Sequence, residues 1–271
     1  MISVLHLGKI DYGSALKLQE HLVDLRKEGR IGDVLLLLEH PLVIIFGRNA
    51  DETNIVASRE FLGGKGVEVF EINRGGDVTF HGPGQLVGYP IFDLRGFPEK
   101  IGVIEYVRRI EEVLIRTCIH YGIETQRIKG MTGVWTQAVV PVKFTKSLPT
   151  GEEARLAKSE RKIAAIGVHI SRAVTSHGFA LNVTTDLDYF KLIVPCGLTK
   201  PVTSIEYETG LHPSMEEVIP VVTRSFGEVF KSEILWLESL EDLLGAPQPE
   251  DTPLKKPEGM RRIHGEDTHL A

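Results

Sequence analysis

Residues 71–90, EINRGGDVTFHGPGQLVGYP, join two apolar segments through a polar, glycine-rich crossing. Val67 and Val69 alternate on the way in, with the two-residue period of a half-buried strand, and Ile72 closes the apolar segment. A second apolar run, Leu86 to Leu94, leads out. Between them stand Arg74-Gly75-Gly76, Asp77, His81 and Gly82-Pro83-Gly84. Glycine admits positive φ and close backbone approach, so the cluster predicts a shaped loop between two strands. Arg74 and His81 inside the same turn make it a candidate site as well as a connection.

The chain around this crossing is 271 residues long, enough for one large α/β domain or two small ones with a substantial core. Its 42% hydrophobic and 25% charged residues are ordinary for a globular protein. A formal net charge of −6 argues against nucleic acid as the main ligand. Two cysteines, Cys118 and Cys196, are too few for a disulfide framework. The N-terminus carries neither signal nor transit pattern, and no apolar run approaches the roughly 20 residues of a membrane span. A cytoplasmic enzyme or binding protein is expected.

Along the chain, Ser3 to Gly8 predicts a strand. Tyr12, Ala15, Leu16, Leu22 and Leu25 follow at helical spacing up to Gly29. Val34 to Leu38 is a continuous apolar run, as in a strand buried on both faces, and Leu42 to Phe46 is another. Ser58 to Leu62 predicts a short helix stopped by Gly63-Gly64. Ile104, Val107, Leu114, Ile115 and Cys118 are expected to line one face of a long helix ending near Gly122. Strands are expected over 134–142, 162–171 and 179–183, with 145–161 as an exposed loop. Ser214 and Glu217 form a capping box that opens a helix through Val218, Val222, Phe226 and Phe230. Residues 1–245 thus predict a single mixed α/β (α+β) domain, and 246–271 a polar, flexible tail.

The common nucleotide and metal signatures are missing. No GxxxxGK[ST], GxGxxG, HExxH, paired CxxC or GxSxG is present. His81, His169 and His177 lack the ligand spacing that zinc sites favour, so no metal is expected. Cys118 falls on an apolar helical stripe and reads as core. Cys196 lies between Pro195 and Gly197, an arrangement that suits either a buried thiol or one presented to a cleft. A reactive thiol needs its pKa of about 8.5 lowered by a nearby cation or helix N-terminus. Lys162, heading a strand whose alternation turns Lys162, Ala164 and Ile166 to one face, is a candidate cation. Composition and spacing alone end at a cysteine-centred cleft of unknown substrate.

The blocks RGGDVTFHGPGQLVGYPI, KIAAIGVHI, SHGFALNV and PCG, in that order between Arg74 and Gly197, resemble the octanoyltransferases of lipoate assembly. The resemblance implies the fold shared with biotin and lipoate protein ligases, a larger and a smaller sheet flanked by helices. It implies that Cys196 is an acyl-thioester nucleophile and Lys162 the lysine that lowers its pKa and serves as acid and base. It assigns Arg74, Gly75, Gly76, Asp77, Val78, Thr79, Phe80 and His81 to a loop enclosing the acyl group, whose glycines leave room for the thioester. Ala165-Ile166-Gly167 and Gly178-Phe179-Ala180 become two further substrate-lining segments, with His177 as a supporting residue. No cofactor is implied. The implied donor is octanoyl-acyl carrier protein. The implied acceptors are lipoyl domains of 2-oxoacid dehydrogenase complexes and the glycine cleavage H protein. Lys143, Lys146, Lys158 and Arg161 are candidates for a basic patch that meets the acidic carrier. An ATP-dependent lipoate or biotin ligase on the same fold, and a non-catalytic acyl-binding module, are the alternatives.

Overall fold

A computed structural model describes residues 1–47, 50, 56–72, 77–99, 101–137, 159–193, 200–245 and 261–262. The chain opens with β1 (Ile2–Lys9), α1 (Tyr12–Lys27), β2 (Asp33–Glu39), β3 (Val43–Phe46) and α2 (Arg59–Gly64). There follow β4 (Glu68–Glu71), β5 (Thr79–His81), β6 (Gln85–Ile91) and α3 (Val103–His120). The second half holds β7 (Thr125–Ile128), β8 (Met131–Thr136), β9 (Lys162–Ser171), β10 (Val174–Asn182), α4 (Ile205–Thr209) and α5 (Met215–Phe230). It ends in β11 (Ile234–Leu237), α6 (Leu240–Leu244) and the two-residue β12 (Arg261–Arg262).

The described strands form two sheets. The larger, in the order β11-β1-β2-β6-β10-β9-β8-β7, is parallel through β11, β1 and β2 and antiparallel beyond. The smaller runs β12-β4-β3-β5. The run VLLLL inside β2 is apolar throughout because helices cover both faces of the large sheet. Leu35 and Leu37 pack with Leu114 of α3 and Phe226 of α5, while Leu36 and Leu38 pack with Leu18 and Leu22 of α1. One helix serves both sheets, since Tyr12 and Leu16 of α1 reach Val43, Ile45, Phe70 and Ile72 of the smaller one. Its entry is fixed by Asp11, whose carboxylate accepts the Ser14 N–H at 2.9 Å. The capping box of α5 is present, with Ser214 and Glu217 each accepting the other's backbone N–H.

Several expectations change. Residues 79–81 are a strand: β5 pairs antiparallel with β3, Val43 facing His81 and Ile45 facing Thr79. The glycines on both sides of Thr79-Phe80-His81 conceal so short a strand in the sequence. The strand β4 is buried on both faces, with Val69 facing one cluster and Phe70 the other. Ile104 lies outside the core at 79% exposure. At 100° per residue it sits about 80° around the helix from Leu114, and the buried stripe of α3 runs through Tyr106, Ile110, Val113, Leu114, Thr117 and Cys118. The helix α2 continues through Gly63 and Gly64 to cap at Lys65. Strand β8 ends at Thr136, and residues 138–142 of the expected strand lie outside the described residues.

Arg161, expected in an exposed basic loop, is buried. It forks onto Glu208 with two hydrogen bonds of 2.8 Å, and Thr203 donates to the same carboxylate. A guanidinium held this way has no charge left to offer a partner. Lys143, Lys146 and Lys158 lie outside the described residues, as does the expected tail apart from Arg261–Arg262, which pair with Glu71 and Phe70.

Candidate active site

A cavity of about 380 Å³ lies where β5 of the smaller sheet faces β6, β8, β9 and β10 of the larger. That volume is within the usual range for a small-molecule site. Its floor is set by one stretch of ladder. Ala165 pairs with Ala180, Ile166 with Phe179 and Gly167 with Gly178, and all six residues line the cavity. The two separate segments singled out in the sequence are therefore cross-strand partners. Asp77, Val78, Thr79 and His81 line the same space, as does Lys162. Phe80, on the opposite side of β5, packs outside it, stacked on Tyr189 at 5.1 Å and edge-on to Phe190 at 5.3 Å. It supports the wall from behind, since Phe190 itself faces the cavity.

Lys162 is the first residue of β9. Its backbone is laced to the strand-like segment that follows residue 199: Lys162 N–H donates to the Pro201 carbonyl, and Thr203 N–H to the Lys162 carbonyl, both at 2.9 Å. The ammonium lies 5.1 Å from the centre of the Trp135 ring, and Lys200 lies 5.8 Å from the same ring. Gly133 makes room for the lysine stem. Its φ is +124°, and a Cβ there would stand 2.7 Å from Lys162 Cε and 2.6 Å from the Ala164 carbonyl oxygen. The Gly133 N–H is held by Glu111, a buried carboxylate paired with Arg108 at 2.6 Å and Arg127 at 3.1 Å. Gly84 has φ +79°, and a Cβ there would stand 2.7 Å from the Thr184 backbone, so the glycine allows β6 to pack close to the end of β10.

The corner opposite is polar. Tyr12, His40, His81 and Tyr89 cluster with ring centres between 5.2 and 6.4 Å. His40 Nδ1–H donates to the Ile10 carbonyl and its Nε2 accepts from the Tyr89 hydroxyl, both at 2.7 Å. Burial pushes its pKa down to about 4, against the pull of the Ile10 carbonyl and Asp11, so the ring is neutral. His177 also faces the cavity, in the left-handed region at φ +56°, with its N–H held by Gln19 at 2.8 Å. Among the described residues no group of three His, Cys, Asp or Glu side chains could hold a metal ion.

Of the two cysteines, Cys118 is fully buried and its thiol is pushed up to about 12 by desolvation, which leaves it inert. Cys196, like Arg74, Gly75 and Gly76, lies outside the described residues. The residues that flank it in sequence, Ile193 and Lys200, both line the cavity.

Residues 11–227 match the lipoyl protein ligase A/B catalytic domain family. A relative from Koribacter versatilis named octanoyltransferase is 62% identical over the whole of both chains. Another octanoyltransferase, from Acidobacterium capsulatum, is 56% identical over 90% of this chain and 96% of its own. This chain belongs to the octanoyltransferases of that family. It is an acyltransferase. The fold agrees: a crystal structure of lipoate-protein ligase A bound with ATP superposes with a TM-score of 0.61. The two share 14% identity, over 88% of this chain and 87% of that one. The bipartite lipoate protein ligase of Thermoplasma acidophilum gives 0.60 at 15% identity, over 88% and 85%. No helix among the described residues is long and apolar enough to cross a membrane.

Sequence reasoning missed part of the octanoyltransferase cavity: Tyr12, Val87, Tyr89, Trp135, Phe190 and Lys200 line it too. Most read in sequence as ordinary apolar positions of helix or strand. Only Trp135 left a signal, as a large aromatic on a short strand hydrogen-bonded to β9.

Proposed function

We propose that this octanoyltransferase moves an octanoyl group from acyl carrier protein to the lysine of lipoyl domains through a thioester on Cys196. The acceptors are read as the lipoyl domains of 2-oxoacid dehydrogenase complexes and the glycine cleavage H protein, and the catalytic unit as residues 1–245. The observation that carries the reading is Lys162 in the wall of an apolar-floored cavity that Ile193 and Lys200, the neighbours of the Cys196 segment, also line. An ammonium there favours the thiolate. The Cys196 thiolate attacks the thioester carbonyl, a C–S bond forms, and the departing pantetheine thiolate takes a proton from Lys162. One thioester replaces another, so the exchange is nearly isoenergetic and requires no ATP. Lys162, now neutral, accepts a proton from the incoming lysine amine as its nitrogen attacks and the Cys196 thiolate leaves. The amide product makes this step downhill. The apolar floor favours the acyl chain by about 0.8 kcal/mol per buried CH₂.

Intact-mass analysis after mixing with octanoyl-acyl carrier protein tests the reading. An octanoyl adduct mapping to Cys196, formed without ATP and absent in Cys196→Ala, is expected. Full transfer by Cys196→Ala, or a requirement for ATP, overturns it.

A further inference from the structure

Glu111 stands in the middle of α3 and is 1% exposed, a costly place for a carboxylate. Two guanidiniums and a backbone N–H meet it there. Its Oε2 accepts from Arg108 at 2.6 Å and from Arg127 of β7 at 3.1 Å, and its Oε1 accepts the Gly133 N–H of β8 at 3.2 Å. Arg127 also donates to Glu112 at 2.8 Å and to the Arg108 carbonyl at 3.1 Å. The cluster clamps the β7–β8 hairpin onto the helix, and the turn of that hairpin, Gly130-Met131-Thr132, lines the cavity. Glu111 itself has no part in the chemistry above.

What the clamp holds is the strand opposite Lys162. Val134 pairs with Ala164 and Trp135 with Lys162, so Ile163 is an extra residue in β9, a bulge. Ile163 and Ala164 both pack in the core, which breaks the alternation and puts Lys162 in the cavity wall with Ala165. Bulges beside active sites re-aim side chains in this way. Gly133 stands across from the bulge, against the Lys162 stem and the Ala164 carbonyl. Glycine reaches φ +124° without strain but loses more freedom than any other residue when fixed there, and the bond to Glu111 fixes it.

We propose that Glu111 is a positioning residue: by holding the Gly133 N–H it fixes the β8 backbone against the bulge, and so fixes where the Lys162 ammonium stands in the cavity. This rests on the transferase reading above, in which Lys162 carries the proton in both half-reactions. Loss of the clamp lets β8 and the lysine stem shift. It therefore lowers kcat through Lys162 alone, while the donor still binds.

Glu111→Leu and Glu111→Gln are tested in the full chain, each with Lys162 in place and with Lys162→Met. Transfer from octanoyl-acyl carrier protein is followed by the intact mass of a lipoyl domain. Glu111→Leu, which removes the acceptor from Gly133, is expected to lower kcat by roughly 10- to 100-fold with the donor KM unchanged, at or below the lower end of what a positioned acid or base contributes. Glu111→Gln, which keeps an oxygen for the Gly133 N–H, is expected to recover part of that rate. In Lys162→Met the same substitutions are expected to change the residual transfer by no more than about twofold, since the two residues act as one unit. Equal losses with and without Lys162, or an unchanged kcat in a folded Glu111→Leu, overturn the proposal. Failure of both variants to fold makes the carboxylate structural and overturns it too. Full transfer by Lys162→Met overturns the transferase reading instead.

Discussion

The floor made by β9 and β10 and the corner made by Tyr12, His81 and Tyr89, with His40 packed behind them, enclose the same space by different means. The floor is backbone: two strands in antiparallel register bring Ala165, Ile166 and Gly167 against Ala180, Phe179 and Gly178, and small side chains leave the volume open. Nothing there depends on the direction of a polar group. The corner is the reverse, for its rings are fixed by donors and acceptors: Ile10 and Tyr89 on His40, Gln85 on His81. A wall of the first kind sets how much fits. A wall of the second kind fixes the direction of each polar group it presents.

The largest effect should come from Lys162, which lines the cavity at the start of β9. Lys162→Ala is expected to lower octanoyl transfer by roughly 10²- to 10⁴-fold, measured as kcat with carrier-protein donor. Retention of full rate would remove Lys162 from the chemistry.

The corner predicts a pH-dependent stability that the floor does not. The pKa of His40 falls from 6.5 to about 4 on folding, so between those values the unfolded chain binds a proton that the folded protein refuses. Stability from this group is complete above about pH 6.5 and is lost as pH falls toward 4, on the order of 3 kcal/mol in all. Urea unfolding across that window should show the slope, and His40→Gln should flatten it.

A third test concerns the support beneath Lys162. Gly133→Ala places a Cβ against Lys162 Cε and the Ala164 carbonyl at a φ that L-residues rarely adopt. It should cost about 1–3 kcal/mol in denaturant unfolding and lower activity beyond what that loss explains. The smallest effect belongs to the floor. Ala165→Leu fills cavity volume without touching a polar group, so the fold should be unperturbed. Octanoyl donors should lose at least about tenfold in kcat/KM relative to shorter chains. Equal loss for every chain length would mean that position 165 does not set length.

The floor was legible in part: β9 begins and ends where the pattern says, whereas β10 begins at Val174 rather than at 179, and Ala164, expected on the Lys162 face, packs in the core while Ala165 lines the cavity. The corner was not. His40, Tyr12 and Tyr89 come from a loop, a helix and a strand, and nothing in spacing joins residues 28 and 49 positions apart. Thr79-Phe80-His81 was read as loop because three residues between glycines carry no period, and only pairing with β3 makes them a strand. Arg161 failed for a related reason, since a charged residue in a charged run looks solvated until Glu208 is brought against it.

By itself the sequence determined the two-sided burial of β2, the amphipathic helices that cover it, and the motif blocks that identify the family. Those depend on local period and composition, which survive in one dimension. Only the tertiary structure decided that Gly133 makes room for Lys162, that Phe80 turns away from the cavity, and that Gln85 meets the His81 ring. Each of these follows from a contact between residues far apart in the chain, and directional contacts leave no trace in local pattern.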